Sequence, residues 1–274
     1  MIGGVISVQL GAAAATTLFD ELSAAGTVFL RVAFAAAVLV AIWRPATRGL
    51  EAGGWRLACL FGLSLAAMNL SFYAALERIP LGIAVTLEFV GPLGVAVAAS
   101  RRAVDVALIT LAGLGIVLLS PGFGGELDAL GAALALLAGG FWAAYILLSA
   151  RVGQAFPGGQ GLALAMVVGA VLLLPAGVVA GGEALLDPEL LAIAAGVAML
   201  SSAIPYSLEL EALRRLPAGT FGVLMSMEPA VAALVGFFAL DQGLAARELV
   251  AIGLVVVASA GATASAGGPA AAEA

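Results

Sequence analysis

Apolar runs long enough to form membrane-spanning helices follow one another along the whole chain, and this feature limits its fold most. Ten are read between their breakers, at residues 2–19, 26–43, 55–75, 80–99, 104–119, 128–149, 161–180, 189–212, 217–239 and 248–266. Turn signals at Arg44-Pro45, Pro121-Gly122, Pro157-Gly158-Gly159 and Asp187-Pro188 separate several of them. A span needs about 20 mostly apolar residues to cross the hydrocarbon core. Ten therefore take up most of the 274 residues and leave no room for a separate soluble domain. Charge agrees: 10% of residues are charged and 63% hydrophobic, whereas a soluble domain carries about 25% charge. The chain reads as an all-α integral membrane protein. Residues 1–19 lack a basic lead before their apolar run and are read as a retained span, not a cleaved signal. Residues 267–274 are read as a flexible tail.

The basic residues, all eleven of them arginine, set the orientation. On the side of the N-terminus lie Arg44, Arg48, Arg56, Arg101, Arg102, Arg151, Arg214 and Arg215, and on the other only Arg78 and Arg247. The second side collects acids, including Asp20, Glu21, Glu77, Glu126, Asp128, Glu183, Asp187, Glu189, Asp241 and Glu248. By the positive-inside rule both termini are expected in the cytoplasm.

Sliding the chain against itself by 137 residues aligns Arg78-Ile79-Pro80-Leu81-Gly82 with Arg215-Leu216-Pro217-Ala218-Gly219, and Pro92 with Pro229. This predicts two halves, residues 1–125 and 126–266. Each holds five spans, and an odd number inverts the second copy. Inverted repeats are an architecture of secondary transporters, with the substrate site near the midplane.

Ionisable groups at membrane depth are costly and usually face a cavity or a partner. Glu88 lies about 12 Å into the fourth run and Glu228 about 16 Å into the ninth, counting ~1.5 Å per residue. Pro92 leaves the Glu88 carbonyl without its helical donor, and Pro229 does the same for Met225. The two carboxyls either bind a substrate ammonium group or carry a proton, or else they are structural groups bonded across helices. Arg31 either snorkels or grips a substrate carboxylate. Gln9, Asn69, Tyr73, Trp142, Tyr145, Ser201, Ser202, Tyr206 and Ser226 are candidates to line a cavity, with Gly91, Pro92, Pro205 and Pro229 as kink or gating positions. Glu209 and Glu211 lie near Arg214 and Arg215, and an i,i+4 pair accounts for them. The small-residue stripe Gly131, Ala135, Gly139 predicts close helix packing.

At these residues the chain resembles the EamA-type drug/metabolite transporters, and within them the threonine/homoserine exporter branch. The resemblance is carried by residues 80–97 (PLGIAVTLEFVGPLGVAV) and 201–234 (SSAIPYSLELEALRRLPAGTFGVLMSMEPAVAAL). It continues more weakly through residues 67–76, 139–149 and the Leu30-Arg31 pair. Family motif positions matched are Glu88, Gly91, Pro92, Tyr206, Glu209, Met227, Glu228 and Pro229. The resemblance implies ten transmembrane helices in two inverted halves. It also implies export of small amino acids or related metabolites from the cytoplasm across the cytoplasmic membrane, driven by proton antiport.

Rival functions need residues that are absent or scarce. With no histidine, Ser-His chemistry and His-based metal sites are unavailable, and there is no GxSxG elbow for a membrane-embedded enzyme. One arginine at depth and no lysine argue against multiply phosphorylated substrates. No metal or other cofactor is expected, nor is nucleic acid a partner, since clustered basic residues are lacking. Cys59, the single cysteine, is read as a small hydrophobe. The expected partners are a small-molecule substrate, protons and the bilayer, with the chain acting as a monomer or homodimer.

Overall fold

The structure, a computed structural model, describes residues 2–47, 50–98, 103–119, 127–205 and 225–266. They form the helices α1 (Ile2–Thr16), α2 (Phe19–Trp43), α3 (Ala52–Leu76), α4 (Leu81–Glu88), α5 (Val90–Ala98), α6 (Ala103–Leu119), α7 (Ala129–Ala155), α8 (Gln160–Gly181), α9 (Pro188–Ala198), α10 (Glu228–Leu240) and α11 (Ala246–Ala266). A 3₁₀ turn (Gly182–Leu186) follows α8 and a π turn (Met199–Ala203) follows α9. There is no strand among the described residues. Tyr206, Glu209, Glu211, Arg214, Arg215 and the second Arg-x-Pro-x-Gly copy lie outside the described residues, as do parts of the eighth and ninth expected spans.

Four helical stretches are long and apolar enough to cross a bilayer: Phe19–Trp43, Ala52–Leu76, Ala129–Ala155 and Gln160–Leu186. Their outward faces are apolar. Val171 is 62% exposed, Val179 86% and Phe238 77%, which suits hydrocarbon and not water. Inside, polar side chains are buried instead, among them Gln9, Asn69, Glu88 and Glu228.

The helices pack in definite pairs. α2 lies along α8, α3 along α7 and α8, α4 against α10 and α7, and α6 against α11, while α1 meets α10 and the π turn. Small residues permit the approach, as the stripe on α7 predicts: Gly131, Ala135 and Gly139 are all buried. A Cβ on Gly139 would come within 2.5 Å of the Glu88 carbonyl oxygen, and one on Gly91 would overlap the Gly139 carbonyl.

Two expected spans differ from the structure in continuity. The run at 80–99 divides at Phe89 into α4 and α5, because Pro92 has no N–H to give the Glu88 carbonyl. The run expected to begin at 26 begins at Phe19 and is broken at Ser23, whose φ is 55°. There the freed Ala24 N–H donates to the Glu77 carboxylate at 2.6 Å, so the end of α3 pins the bend. Pro229 also differs from expectation. It stands in the first turn of α10, where a missing N–H leaves no bond unmade.

Helix starts follow local chemistry. Asp187 caps α9 through the Glu189 N–H at 2.8 Å, with Pro188 at the first helical position. Asp128 caps α7 through the N–H groups of Leu130 and Gly131 at 2.8 and 2.9 Å, and pairs with Arg78 at 3.1 Å. The Gly131 N–H, helped by Arg78 and the Leu130 N–H against a slight loss of hydration, holds the Asp128 carboxyl below the usual carboxylate range. A depressed value contributes stability above the ordinary aspartate pKa of about 3.9, and that contribution is lost as pH falls through the folded value. Asp128→Ala is therefore expected to lower the melting temperature in detergent at pH 7, with the gap to wild type closing as the pH is taken below about 4.

The α7 glycines give a second test. Gly139→Ala is expected to destabilise by about 1–3 kcal/mol, because only backbone can yield. The neighbouring Gly140→Ala, whose Cβ would meet nothing within 4 Å, should be neutral or slightly stabilising by melting temperature.

Candidate functional site

Arg31 on α2 is the centre of the polar interior. Asn69 and Tyr73 are one turn apart on α3 and so share a face. Both turn to the guanidinium: Nη1 donates to Asn69 Oδ1 at 2.8 Å and to Tyr73 Oη at 3.0 Å. The guanidinium carbon also lies 5.2 Å from the Tyr73 ring centroid, within cation–π range. Asn69 is fixed from behind, since its Nδ2 donates to the Leu65 carbonyl at 2.8 Å. Nη2 reaches the Ser201 carbonyl in the π turn at 3.4 Å. Arg31 Nε is buried with no hydrogen-bond partner. Of the two fates open to Arg31 in the sequence, the side chain takes the inward one.

The carboxyl groups flank this anchor. Glu88, the last residue of α4, is buried and lies within the electrostatic reach of Arg31. Its backbone carbonyl does not face a cavity, as expected from Pro92, but is turned onto Gly139 of α7. A Cα–H contact is what it meets there. Glu228 opens α10 and is buried, 5% exposed, beside buried Ser226. An acid in the first turn of a helix suits the exposed N–H groups there.

The remaining candidates divide. Gln9 on α1 is 2% exposed and its Oε1 is buried without a partner, and Ser202 Oγ is in the same condition. Trp142 sets its ring edge-on to Phe89 at 5.1 Å, packing the break between α4 and α5. Tyr145 stacks on Phe61 at 4.8 Å, a contact within the α2, α3 and α8 core. Gly91, Pro205 and Pro229 are buried and Pro92 is half-buried. Tyr206 lies outside the described residues.

Several polar contacts were not singled out from the sequence. Ser7 Oγ donates to the Leu200 carbonyl at 2.6 Å, joining α1 to the π turn. Ser64 Oγ donates to the Phe141 carbonyl at 2.8 Å, joining α3 to α7. Gln242 accepts from the Leu81 N–H at 2.9 Å, capping α4. A serine within an apolar run is the visible signal for the first two; nothing local marks the third. Apart from this cluster, an open groove of about 540 Å³ lies between α10 and α11, lined by residues such as Leu234, Phe237, Leu249 and Ile252. Such a wall offers a zwitterion nothing to bind.

The sequence profile of the EamA-like transporter family matches residues 129–264. The threonine/homoserine exporter RhtA of Salmonella typhimurium (strain LT2) is 45% identical over 261 residues, covering 94% of this chain and 88% of the relative. RhtA of Escherichia coli (strain K12) is 43% identical over 267 residues, covering 96% and 90%. The chain belongs to the EamA-like transporter family. It is therefore a multi-pass protein of the inner membrane and a transporter, not an enzyme. One solved crystal structure shares the fold, with a TM-score of 0.64 at 18% identity over 100% of this chain and 98% of the other.

In this transporter the support of Arg31 is open to a direct test. Asn69→Leu keeps the volume but deletes a charge-assisted hydrogen bond to Nη1. A loss of about 1–3 kcal/mol in stability is expected, read as a lower melting temperature in detergent.

Proposed function

We propose that this transporter exports small zwitterionic amino acids of the threonine and homoserine type from the cytoplasm in exchange for protons. The observation that carries the reading is the buried Arg31. Asn69, Tyr73 and the Ser201 carbonyl hold it, its Nε has no protein partner, and Glu88 lies within its field. A cation with a spare donor suits a carboxylate, and a neighbouring carboxyl suits an ammonium group. The names of the 43–45% identical relatives point to the same substrates.

On this reading Arg31 orients the substrate by its carboxylate. Glu88 or Glu228 takes the ammonium group or the coupling proton, and Asn69, Tyr73, Gln9, Ser226, Trp142, Tyr145 and Tyr206 shape the pocket. The chain forms ten spans in two inverted halves, residues 1–125 and 126–266, with both termini cytoplasmic and 267–274 as a tail. Helix pairing supports the duplication. Equivalent helices of the two halves pack on each other: α2 on α8, α4 on α10, α6 on α11. The α3–α7 contact likewise has a counterpart in α1 with the α9 end and π turn. The helix breaks at Phe89 and just before Glu228 are the places where each half can flex during alternating access.

Flux of threonine from proteoliposomes under an imposed pH gradient tests the mechanism. At least one of Glu88→Gln and Glu228→Gln is expected to lose proton-coupled flux by roughly ten- to a hundredfold, the effect of losing one charge-assisted bond. Normal coupled flux in both variants would refute the carboxylate mechanism.

A further inference from the structure

We propose that Gln9, seconded by Ser202, reads a hydroxyl group on the substrate side chain and so rejects hydrocarbon amino acids of the same shape. The inference rests on the zwitterion reading above and assigns the part of the site that meets neither carboxylate nor ammonium.

Gln9 is out of place by composition. α1 is otherwise built of small and apolar residues with a few hydroxyls, and a glutamine amide in hydrocarbon is costly unless its groups are bonded. Yet its Oε1 is buried and bonded to nothing in the protein. Its direction follows from the helix. Ala12 and Ala13, three and four residues on, pack with Ile83 and Leu87 of α4 and Ala232 of α10. Gln9 thus faces the two helices that carry Glu88 and Glu228.

Ser202 is 1% exposed, and its Oγ is likewise without a partner. It follows Ser201, whose carbonyl holds Arg31. The same turn touches α1 through the Ser7–Leu200 bond and the close approach of Gly11 to Ser201. The two unfilled polar atoms therefore belong to elements that meet beside the carboxylate anchor.

Chemistry then selects the ligand. An amide oxygen only accepts, so what meets Gln9 Oε1 must donate; a serine hydroxyl does both. A substrate hydroxyl donating to Gln9 and accepting from Ser202 fills both needs. A methyl group in its place fills neither and leaves both atoms buried and unpaired. Sites that hydrogen-bond a substrate hydroxyl reject the analogue lacking it far more strongly than apolar pockets reject an added methylene.

Threonine and valine differ by hydroxyl against methyl at nearly equal shape, so the threonine-to-valine flux ratio from proteoliposomes is the measurement. The wild type should favour threonine by about ten- to a hundredfold. Gln9→Leu and Ser202→Ala should each bring the ratio down severalfold, by lowering threonine flux while valine flux holds or rises. If Gln9→Leu fails to fold, Ser202→Ala, which removes one atom, reads the same ratio. A wild-type ratio near one overturns the proposal, as does a ratio that neither variant moves, including a parallel fall in both fluxes. Failure of the underlying zwitterion reading looks different: the wild type then moves neither amino acid.

Discussion

A guanidinium with no water around it governs this interior. In hydrocarbon a charge must be met within the protein, and Arg31 recruits a partner from each direction that its planar fork offers. Asn69 and Tyr73 sit at helical spacing on α3 so that both reach Nη1, and the Leu65 carbonyl fixes which end of the Asn69 amide faces the charge. The Ser201 carbonyl is available because α9 ends in a π turn. In a regular helix that oxygen would be pointed along the axis at the next N–H, whereas a widened turn can direct it sideways. One buried cation thus explains a side-chain pair, an amide orientation and the use of a helix irregularity.

The same accounting applies to every interruption of the helices. Each break frees a backbone group, and the bilayer offers nothing to receive it. At Ser23 the freed N–H of Ala24 finds the Glu77 carboxylate. At Phe89 the carbonyl of Glu88 is covered by Gly139, where the absence of a side chain lets α7 approach to backbone contact. At the start of α4, Gln242 takes the Leu81 N–H. The breaks sit where a partner from another helix is waiting, so they are built features of the packing and not weak points in it.

This accounting also shows what the sequence could and could not disclose. Apolar runs and their breakers are local, so the element order and the cap at Asp187-Pro188 are legible residue by residue. Glu88, Arg31, Asn69 and Tyr73 are legible because polar groups at depth are rare enough to stand out. The break at Ser23 is not, because its cause is Glu77, 54 residues away in the chain. Proline 92 announces an unpaired carbonyl but not where it goes; that depends on Gly139 arriving from α7. The π turn leaves no local mark either, since Met199–Ala203 is as apolar and as small as the helix before it. Inward against outward rotation of Arg31 is likewise decided by α3, not by its own neighbours.

Charge balance links this interior to exchange. With Glu88 and Glu228 both ionised and Arg31 positive, the buried groups carry a net single negative charge, which a low-dielectric interior disfavours. A proton on either carboxyl removes it. The ammonium group of a zwitterion compensates the same carboxyl locally, while its carboxylate is taken up by the guanidinium. Proton and substrate are therefore alternative answers to one electrostatic problem, and each makes the other unnecessary. Under the proposed mechanism this competition couples the two fluxes: the empty site is the unfavourable species, and the loaded forms are those with either the proton or the amino acid in place. A substrate with several negative charges would compound the imbalance, because Arg31 has no second cation beside it among the described residues.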